Sequence, residues 1–315
     1  MTRIHHVYAN RSNAGDWLSA LGIQQALGDV QVVEHFCDDP FVPETLDQLS
    51  RLTSADLVVI GGGGLLMDYF VPFWDGLLDL DVRFCIWGIG VVDLKREKSL
   101  PPLDLMRRIG SRAELAVVRD ERSAEAIGGG VRVAPCPSLL AVAPEPIRSP
   151  GLLHVANLTT VGEREFHRMR AVGERWSSTT SRVFRETNNR HNGDFAGLQH
   201  ILERYKESDV VLSSALHGCL VAVAMGRPVV AVSGDHKIDE MMRQAGLEQW
   251  LLGQDGLDFI AERLNDALER QRPATGFLEE ALLEGRRTAE QAHHLLGATS
   301  GGSTPLPAGS TCDPA

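Results

Sequence analysis

Residues 213–233 read SSALHGCLVAVAMGRPVVAVS and decide how the second half of the chain folds. An apolar segment, DVVLSS at 209–214, leads into ALHGCLVAVAM at 215–225, and PVVAVS follows at 228–233. A strand, a helix and a second strand in this order are typical of a parallel βαβ unit. His217 lies at the beginning of the otherwise apolar helical segment, and we interpret it as a residue that faces a ligand, most simply an anionic one.

The same alternation of strand and helix patterns runs through the rest of the chain. IHHVYA, VQVVEHF, DLVVIGGGG and FCIWGIGV precede a proline-rich stretch at 142–151, and LLHVANL follows it. We predict an α/β protein with two Rossmann-like, doubly wound parallel-sheet domains that face a cleft, at residues 1–145 and 151–296. The tail at 297–315 is rich in Gly, Ser, Thr and Pro and is predicted to be disordered.

Composition excludes several classes of partner. The formal net charge is −11 and the pI is about 5.5, which argues against general binding of nucleic acid. No apolar run reaches the roughly 18 residues of a membrane span, and the amino-terminal segment lacks the pattern of a signal peptide. The five cysteines are scattered and form no C-x-x-C pair, which favours a reducing cytoplasm over a disulfide framework.

The turn SSALHG predicts an anion site at the start of a helix. Ser213 or Ser214 is expected to cap the helix, which puts His217 in its first turn beside Gly218. Helix N-termini favour anions, and the same dipole lowers the pKa of an imidazole, so that His217 acts as a neutral donor or a proton shuttle. The alternative is a packed histidine bonded to a backbone carbonyl.

A run of four glycines follows the strand at 57–60. Gly61, Gly62, Gly63 and Gly64 let a backbone approach a ligand closely and offer it N–H groups. The run matches neither the dinucleotide-binding nor the P-loop motif. Tight packing of strand against helix is the alternative explanation.

NAGD at residues 13–16 precedes the first helix. Gly15 permits an unusual backbone conformation, and we assign it to donor binding. The carboxylate of Asp16 repels an anion, so it suits a neutral acceptor hydroxyl, which it can orient or deprotonate. The alternative is that Asp16 caps the helix.

Two cations follow other strands. Arg119, in VVRDERS, is placed where a guanidinium can pair with a carboxylate or phosphate, and Lys237, in SGDHK, can supply a second positive charge. A solvated ion pair and a surface lysine are the respective alternatives.

Taken in order, these turns resemble the polysaccharide pyruvyl transferase family. Members show N-x-G-D, D-x-V-V-x-G-G-G-L-L, R-D-x-x-S, L-H-G with G-x-P, and D-x-K, matched here by NAGD, DLVVIGGGGLL, RDERS, LHGCLVAVAMGRP and DHK. The resemblance implies a GT-B-like fold and transfer of a pyruvyl group from phosphoenolpyruvate to a sugar or glycan hydroxyl. Under this hypothesis His217 contacts the donor phosphate and delivers a proton, Asp16 orients the acceptor hydroxyl, and no metal or other cofactor is expected.

One position departs from the family pattern. Many members read R-L-H, with the arginine on phosphoenolpyruvate, and this chain has Ala215 instead. Arg119, Lys237, Arg182 or Arg185 are candidates to replace that charge.

Two other functions therefore remain open: a GT-B glycosyltransferase that uses a nucleotide-sugar donor, and a catalytically inactive binding homologue. The acceptor, the pathway and the formation of a homo-oligomer are also left open by the sequence.

Overall fold

The computed structural model describes residues 3–36, 49–95 and 100–297. The predicted disordered tail therefore lies outside the described residues, except for Gly297. None of the helices in these ranges is long and apolar enough to cross a membrane.

The first lobe is built on a six-stranded parallel sheet in the order β2-β1-β3-β4-β5-β6. Its strands are β1 (Arg3–Tyr8), β2 (Gln31–Phe36), β3 (Leu57–Ile60), β4 (Phe84–Ile89), β5 (Leu115–Val118) and β6 (Arg132–Val133). β3 and β4 are buried along their whole length, which is why both read as continuous apolar runs. The strand order reverses between β1 and β3, a place where such sheets bind ligands.

The second lobe is built on a five-stranded parallel sheet in the order β11-β10-β9-β7-β8. Its strands are β7 (Gly151–Val155), β8 (Val183–Thr187), β9 (Val210–Ser213), β10 (Val229–Val232) and β11 (Leu251–Leu252). Here the order reverses between β7 and β9. The predicted fold class, two parallel-sheet α/β lobes, is confirmed.

Helices connect the strands in both lobes. They are α1 (Ala14–Leu27), α2 (Val71–Leu78), α3 (Leu103–Arg112), α4 (Glu121–Ile127), α5 (Leu158–Val161), α6 (Glu163–Thr179), α7 (Phe195–Lys206), α8 (Leu216–Ala224), α9 (His236–Gln244), α10 (Ile260–Arg270) and α11 (Thr275–Gly297). The proline-rich stretch at 142–151, which we interpret as the interdomain linker, forms neither helix nor strand up to residue 150, and its last residue, Gly151, is the first of β7.

Strand β8 and helices α2, α3, α5 and α6 were not among the predicted elements. β8 reads VFRET and none of its residues is fully buried, because it lies at the edge of its sheet. An edge strand of this kind lacks the apolar run by which buried parallel strands are recognised.

Backbone hydrogen bonds join the lobes at two places. Near the start of α1, the N–H of Ala14 donates to the carbonyl of Asn189 at 2.9 Å. Asn189 has a φ of 59°, a left-handed conformation that asparagine tolerates better than most residues. Elsewhere, the N–H of Lys95 donates to the carbonyl of Gly234 at 3.0 Å. Hydrogen bonds between loops that follow the strands therefore connect the two lobes.

Apolar packing also crosses between the lobes. Leu18 of α1 and Leu216 of α8 belong to one continuous buried cluster. The last helix returns to the first lobe, where Ala292 of α11 packs in a cluster with Ile4 and Ile23. The grouping of residues 151–296 as a single domain stays a prediction, and this packing shows that their last helix contacts the other sheet.

Candidate active site

A cleft of about 970 Å³ lies between the lobes. Loops that follow β1, β3, β4 and β5 line it on one side, and loops that follow β7, β8, β9 and β10 line it on the other. Ligands of open α/β sheets bind beyond the carboxyl ends of the strands, so both sheets direct their ligand-binding edges to this space.

His217 is the second residue of α8, and its side chain is 11% exposed in the cleft. The hydroxyl of Ser19 donates its single proton to the carbonyl of Gly15 at 3.0 Å, and the same oxygen lies 3.4 Å from Nε2 of His217. Sγ of Cys136 lies 3.8 Å from the same Nε2. The other ring nitrogen, Nδ1, lies 4.0 Å from Oδ1 of Asp16.

Gly15 lets α1 approach this imidazole. A Cβ atom at position 15 would lie 2.0 Å from Nδ1 of His217, well inside contact distance. The conformation of the residue is not the reason for the glycine, since it lies in the first turn of α1 without a positive φ. The prediction of an unusual backbone at Gly15 is therefore wrong, and steric room for the ring across the lobe interface explains the residue.

Burial lowers the pKa of His217 to about 3, with further contributions from the positive charges of Arg119 and Lys237. The ring is therefore neutral at pH 7. The pKa of His217 is lowered, as predicted from the sequence. Its largest cause is desolvation by burial and not the helix dipole. A bound anion that offsets the two cations would raise this pKa, because it favours the imidazolium.

Asp16 is not the cap of α1. Asn13 caps the helix, and its side-chain oxygen accepts from the N–H of Gly15 at 3.0 Å. Asp16 lies in the first turn of the helix and lines the cleft. A Cβ atom at Gly63 would lie 2.9 Å from the carboxylate of Asp16, so the glycine turn packs directly against this side chain.

The four glycines have different roles. Gly61 uses its N–H on the carbonyl of Val7 at 2.9 Å, and a Cβ there would strike the backbone of β4. Gly62 and Gly63 have φ values of 98° and 101°, which only glycine adopts readily. Gly64 alone of the four lines the cleft. Packing thus accounts for Gly61 and backbone conformation for Gly62 and Gly63, and donor contact stays a prediction for Gly64.

Arg119 is 5% exposed and reaches the cleft between two glycines. A Cβ at Gly90 would lie 2.5 Å from its Nε, and one at Gly64 would lie 3.8 Å from its Nη2. Its neighbour Asp120, with Oδ2 at 3.6 Å from Nε, caps α4 by accepting from the N–H of Ser123 at 2.8 Å. The R-D-x-x-S pattern therefore combines one cleft cation with a structural cap.

Lys237 lies in the first turn of α9 and lines the same cleft. Its Nζ is 2.7 Å from the fully buried carboxylate of Asp235, which also caps the helix by accepting from the N–H of Lys237. The ammonium is thereby held in one position.

The predicted cap of α8 is wrong. Ala215 occupies the N-cap position and makes no side-chain cap. Ser213 bonds to the backbone of Ala215, and the hydroxyl of Ser214 accepts from the N–H of Asn157 at 3.0 Å. Both serines are fully buried, so they shape the turn, and their contact with a donor stays a prediction that this geometry does not favour.

Gly218 is also a packing residue. A Cβ there would lie 2.1 Å from Oγ of Ser213, inside the fold. The two other arginines considered for the donor point elsewhere, because Arg182 pairs with Asp209 and Arg185 with Glu207, each at 3.1 Å. Neither arginine lines the cleft.

Sequence reasoning missed a polar wall of the cleft. Asn10, Asn157, Asn188 and Arg190 line it in addition to Asn13. Three of these asparagines come within two residues of the end of a strand, which was the available signal. Of the three arginines in the RVFRETNNR segment, only the last, Arg190, lines the cleft.

Solved structures share the fold at low identity. S. aureus MnaA, solved with UDP, superposes with a TM-score of 0.59 at 11% identity over 98% of this chain and 100% of that one. The UDP-GlcNAc 2-epimerase of Methanocaldococcus jannaschii gives 0.57 at 10% over 93% and 100%. A putative UDP-N-acetylglucosamine 2-epimerase of Listeria monocytogenes gives 0.56 at 14% over 95% of each. At such identities the likeness shows the GT-B-like fold alone.

The sequence itself matches no curated protein at a significant level. The model of one family, described as Polysaccharide pyruvyl transferase, matches residues 13–236. This range begins at the cap of α1 and ends at the first residue of α9, so it covers parts of both lobes and includes Asp16, Arg119 and His217 of the cleft. The chain belongs to the polysaccharide pyruvyl transferase family, a family of transferases.

Proposed function

We propose that the protein transfers the pyruvyl group of phosphoenolpyruvate to hydroxyl groups of a sugar or glycan precursor. The observation that carries the proposal is the surroundings of His217. Its Nδ1 faces the carboxylate of Asp16, while Arg119 and Lys237 are close enough to depress its pKa. Cations, a neutral imidazole and a carboxylate therefore meet at one point of the cleft.

The donor suits the two cations. Phosphoenolpyruvate carries a carboxylate and a phosphate, which Arg119 and Lys237 bind through charge-assisted hydrogen bonds. The first turn of α8 adds N–H groups at the positive end of a helix of nine residues. These groups stand in for the arginine that many members have where this chain has Ala215.

The bound donor then makes His217 an acid. Its negative charges raise the pKa of the imidazole, and Nδ1 takes up a proton. That proton passes to C3 of the donor, which becomes a methyl group, and positive charge develops at C2. An acceptor hydroxyl attacks C2 and gives its proton to Asp16.

A second acceptor hydroxyl completes the ketal. It forms a bond to C2 while the bond from C2 to the phosphate oxygen breaks, and its proton leaves with inorganic phosphate. Asp16 then releases the proton of the first hydroxyl to solvent, which balances the proton that His217 took up when the donor bound, so that both residues return to their starting states. The phosphate leaves from the cationic part of the cleft, where Arg119 and Lys237 stabilise its charge.

Thermal-shift titration with phosphoenolpyruvate, UDP, GDP and CMP tests the donor. Phosphoenolpyruvate is expected to raise the Tm in a concentration-dependent way, as any ligand of the folded state does. A rise with a nucleotide alone would contradict the proposal and favour the glycosyltransferase. No rise with any of the four would favour the binding homologue.

A further inference from the structure

Four asparagines share one end of the cleft: Asn10, Asn13, Asn157 and Asn188. Asn10 and Asn13 follow β1 in the first lobe. Asn157 follows β7, and Asn188 follows β8, in the second. The antiparallel bridge between Asn13 and Arg190 shows that the loops after β1 and β8 meet across the lobes.

All four side chains make the same local hydrogen bond. The side-chain oxygen of each asparagine accepts a hydrogen bond from the backbone N–H two residues later. The distance is 2.7 Å for Asn10 and 3.0 Å for each of the other three; the donors are Ser12, Gly15, Thr159 and Arg190, in the order of the chain. A backbone N–H can be matched only by the oxygen of a carboxamide, so these bonds assign the orientation of each group. The NH₂ branch of each planar carboxamide is then turned away from its own backbone.

The strand order separates this end from the cations. In the second sheet, β10, β9, β7 and β8 are consecutive neighbours, so the loop that carries Lys237 and the loop that carries Asn188 are three strand spacings apart. β5, which precedes Arg119, and β1, which precedes Asn10, are separated in the same way in the first sheet. At roughly 4.8 Å per spacing, the loops of Asn10 and Asn188 begin about 14 Å from those of the two cations, and the loop of Asn157, which follows β7, begins about 10 Å from that of Lys237.

The charges near the asparagines balance. Glu186 lines this end and accepts a hydrogen bond from Nδ1 of His154 at 2.9 Å, with Arg170 at 3.5 Å. Arg190, which is exposed, is the positively charged residue of the cleft wall that lies nearest to Glu186 in the sequence. Phe166 adds apolar surface. The environment is rich in N–H donors without an excess of positive charge.

We infer that the four asparagines form the acceptor subsite and that the part of the acceptor held there is an uncharged saccharide unit. Carboxamide N–H groups donate to hydroxyl, ring and acetamido oxygens, and a neutral wall gives no advantage to a diphosphate. The span of about 14 Å leaves room for a sugar beside a donor that occupies the cationic end. The inference rests on the proposed function, since it takes the cationic end as the donor site.

The chain offers a variant that isolates the NH₂ groups. Aspartate at positions 157 and 188 retains the oxygen that accepts from the backbone and removes the NH₂ donor. Both residues are exposed in the cleft wall, so the fold does not depend on burying them. Asn192→Asp is the matched control for each single substitution, because Asn192 is exposed in the same loop region, does not line the cleft and gives the same change in charge as Asn157→Asp or Asn188→Asp alone.

The test is saturation-transfer NMR with methyl glycosides of neutral hexoses and N-acetylhexosamines, and with UDP-linked sugars, in the presence of phosphoenolpyruvate. We expect a neutral glycoside to bind the wild type and the N192D variant alike. The N157D/N188D variant should bind it at least tenfold more weakly, while the thermal shift caused by phosphoenolpyruvate is unchanged.

Three results would overturn the inference: no loss of glycoside binding in N157D/N188D, binding of the UDP-linked sugars alone, or no glycoside bound by the wild type while phosphoenolpyruvate is bound. If phosphoenolpyruvate itself gives no thermal shift, the proposed function fails instead. The two failures are therefore distinguishable.

Discussion

The cationic end of the cleft and the asparagine end are held in place by different means. Arg119, Lys237 and His217 are largely buried, and each is positioned by residues distant in sequence or by a buried carboxylate. Asn157 and Asn188 are exposed and are oriented by backbone groups two residues away. The cationic end is fixed by burial, with carboxylates one and two positions away in the chain paired to Arg119 and Lys237, and the asparagine end is a set of exposed turns at strand ends.

We expect the cationic end of the cleft to carry out the chemistry and the asparagine end to select the acceptor. Buried, fixed charges act on a donor without reorganisation at the moment of reaction, which favours stabilisation of a transition state. Exposed loop residues change at little expense in stability, which suits recognition of a variable partner. Substitutions at the cationic end should therefore alter turnover and folding together, whereas those at the asparagine end should alter binding.

The largest effect is expected for His217→Gln. Glutamine is close in size but cannot donate a proton to carbon, so turnover should fall about 10³-fold, within the range for a general acid. Release of phosphate from phosphoenolpyruvate in the presence of acceptor measures this. His294→Gln, on the exposed side of the last helix, is the control and should keep full activity. A loss below tenfold in H217Q would contradict the assigned role.

Gly15→Ala should come next, with a loss of turnover of about 10²-fold. The added methyl carbon would lie 2.0 Å from Nδ1 of His217, so the ring must leave its position between the lobes. Overpacking of this kind costs about 1–3 kcal/mol in the free energy of unfolding. Gly276→Ala, where a Cβ meets nothing within 4 Å, should be neutral or stabilising in the same urea titration. Equal behaviour of the two variants would argue against close packing of ring and helix.

Binding of phosphoenolpyruvate should take up a proton. The pKa of His217 is about 3 in the free protein, so the ring is neutral at pH 7, and bound negative charge raises that pKa. Uptake should therefore increase as the pH falls from 7 to 6, up to about one proton. Calorimetry in buffers of different ionisation enthalpy measures it. The H217Q variant should show no such uptake, and an equal value in that variant would assign the proton to another group.

The smallest effect is expected for the stability of Asn188→Asp. The turn at Arg190 is retained and the side chain is exposed, so the free energy of unfolding should change by less than about 0.5 kcal/mol. Urea denaturation compares it with the wild type. A change above about 1.5 kcal/mol would mean that the asparagine end is also held by tertiary packing, and the contrast between the two ends would disappear.

Several parts of the site could be predicted from the sequence because strand ends are visible in it. His217, Asp16, Arg119 and Lys237 all follow apolar strands, and parallel sheets gather such positions at one edge. The packing roles of Ser213 and Gly218 could not be predicted, because the atoms that fill the space around them come from the turn itself and from β7.

What the sequence determined by itself is the succession of strands and helices, through apolar runs, glycines and capping residues that act within a few positions of each other. Only the tertiary structure decided that Gly15 faces His217, that burial keeps the imidazole neutral, and that the asparagines of two lobes share one wall. Local hydrogen bonds and the periodicity of apolar residues depend on residues that are neighbours in the sequence. Burial and electrostatic environment depend on contacts between residues some two hundred positions apart, such as the 3.4 Å approach of Ser19 to His217.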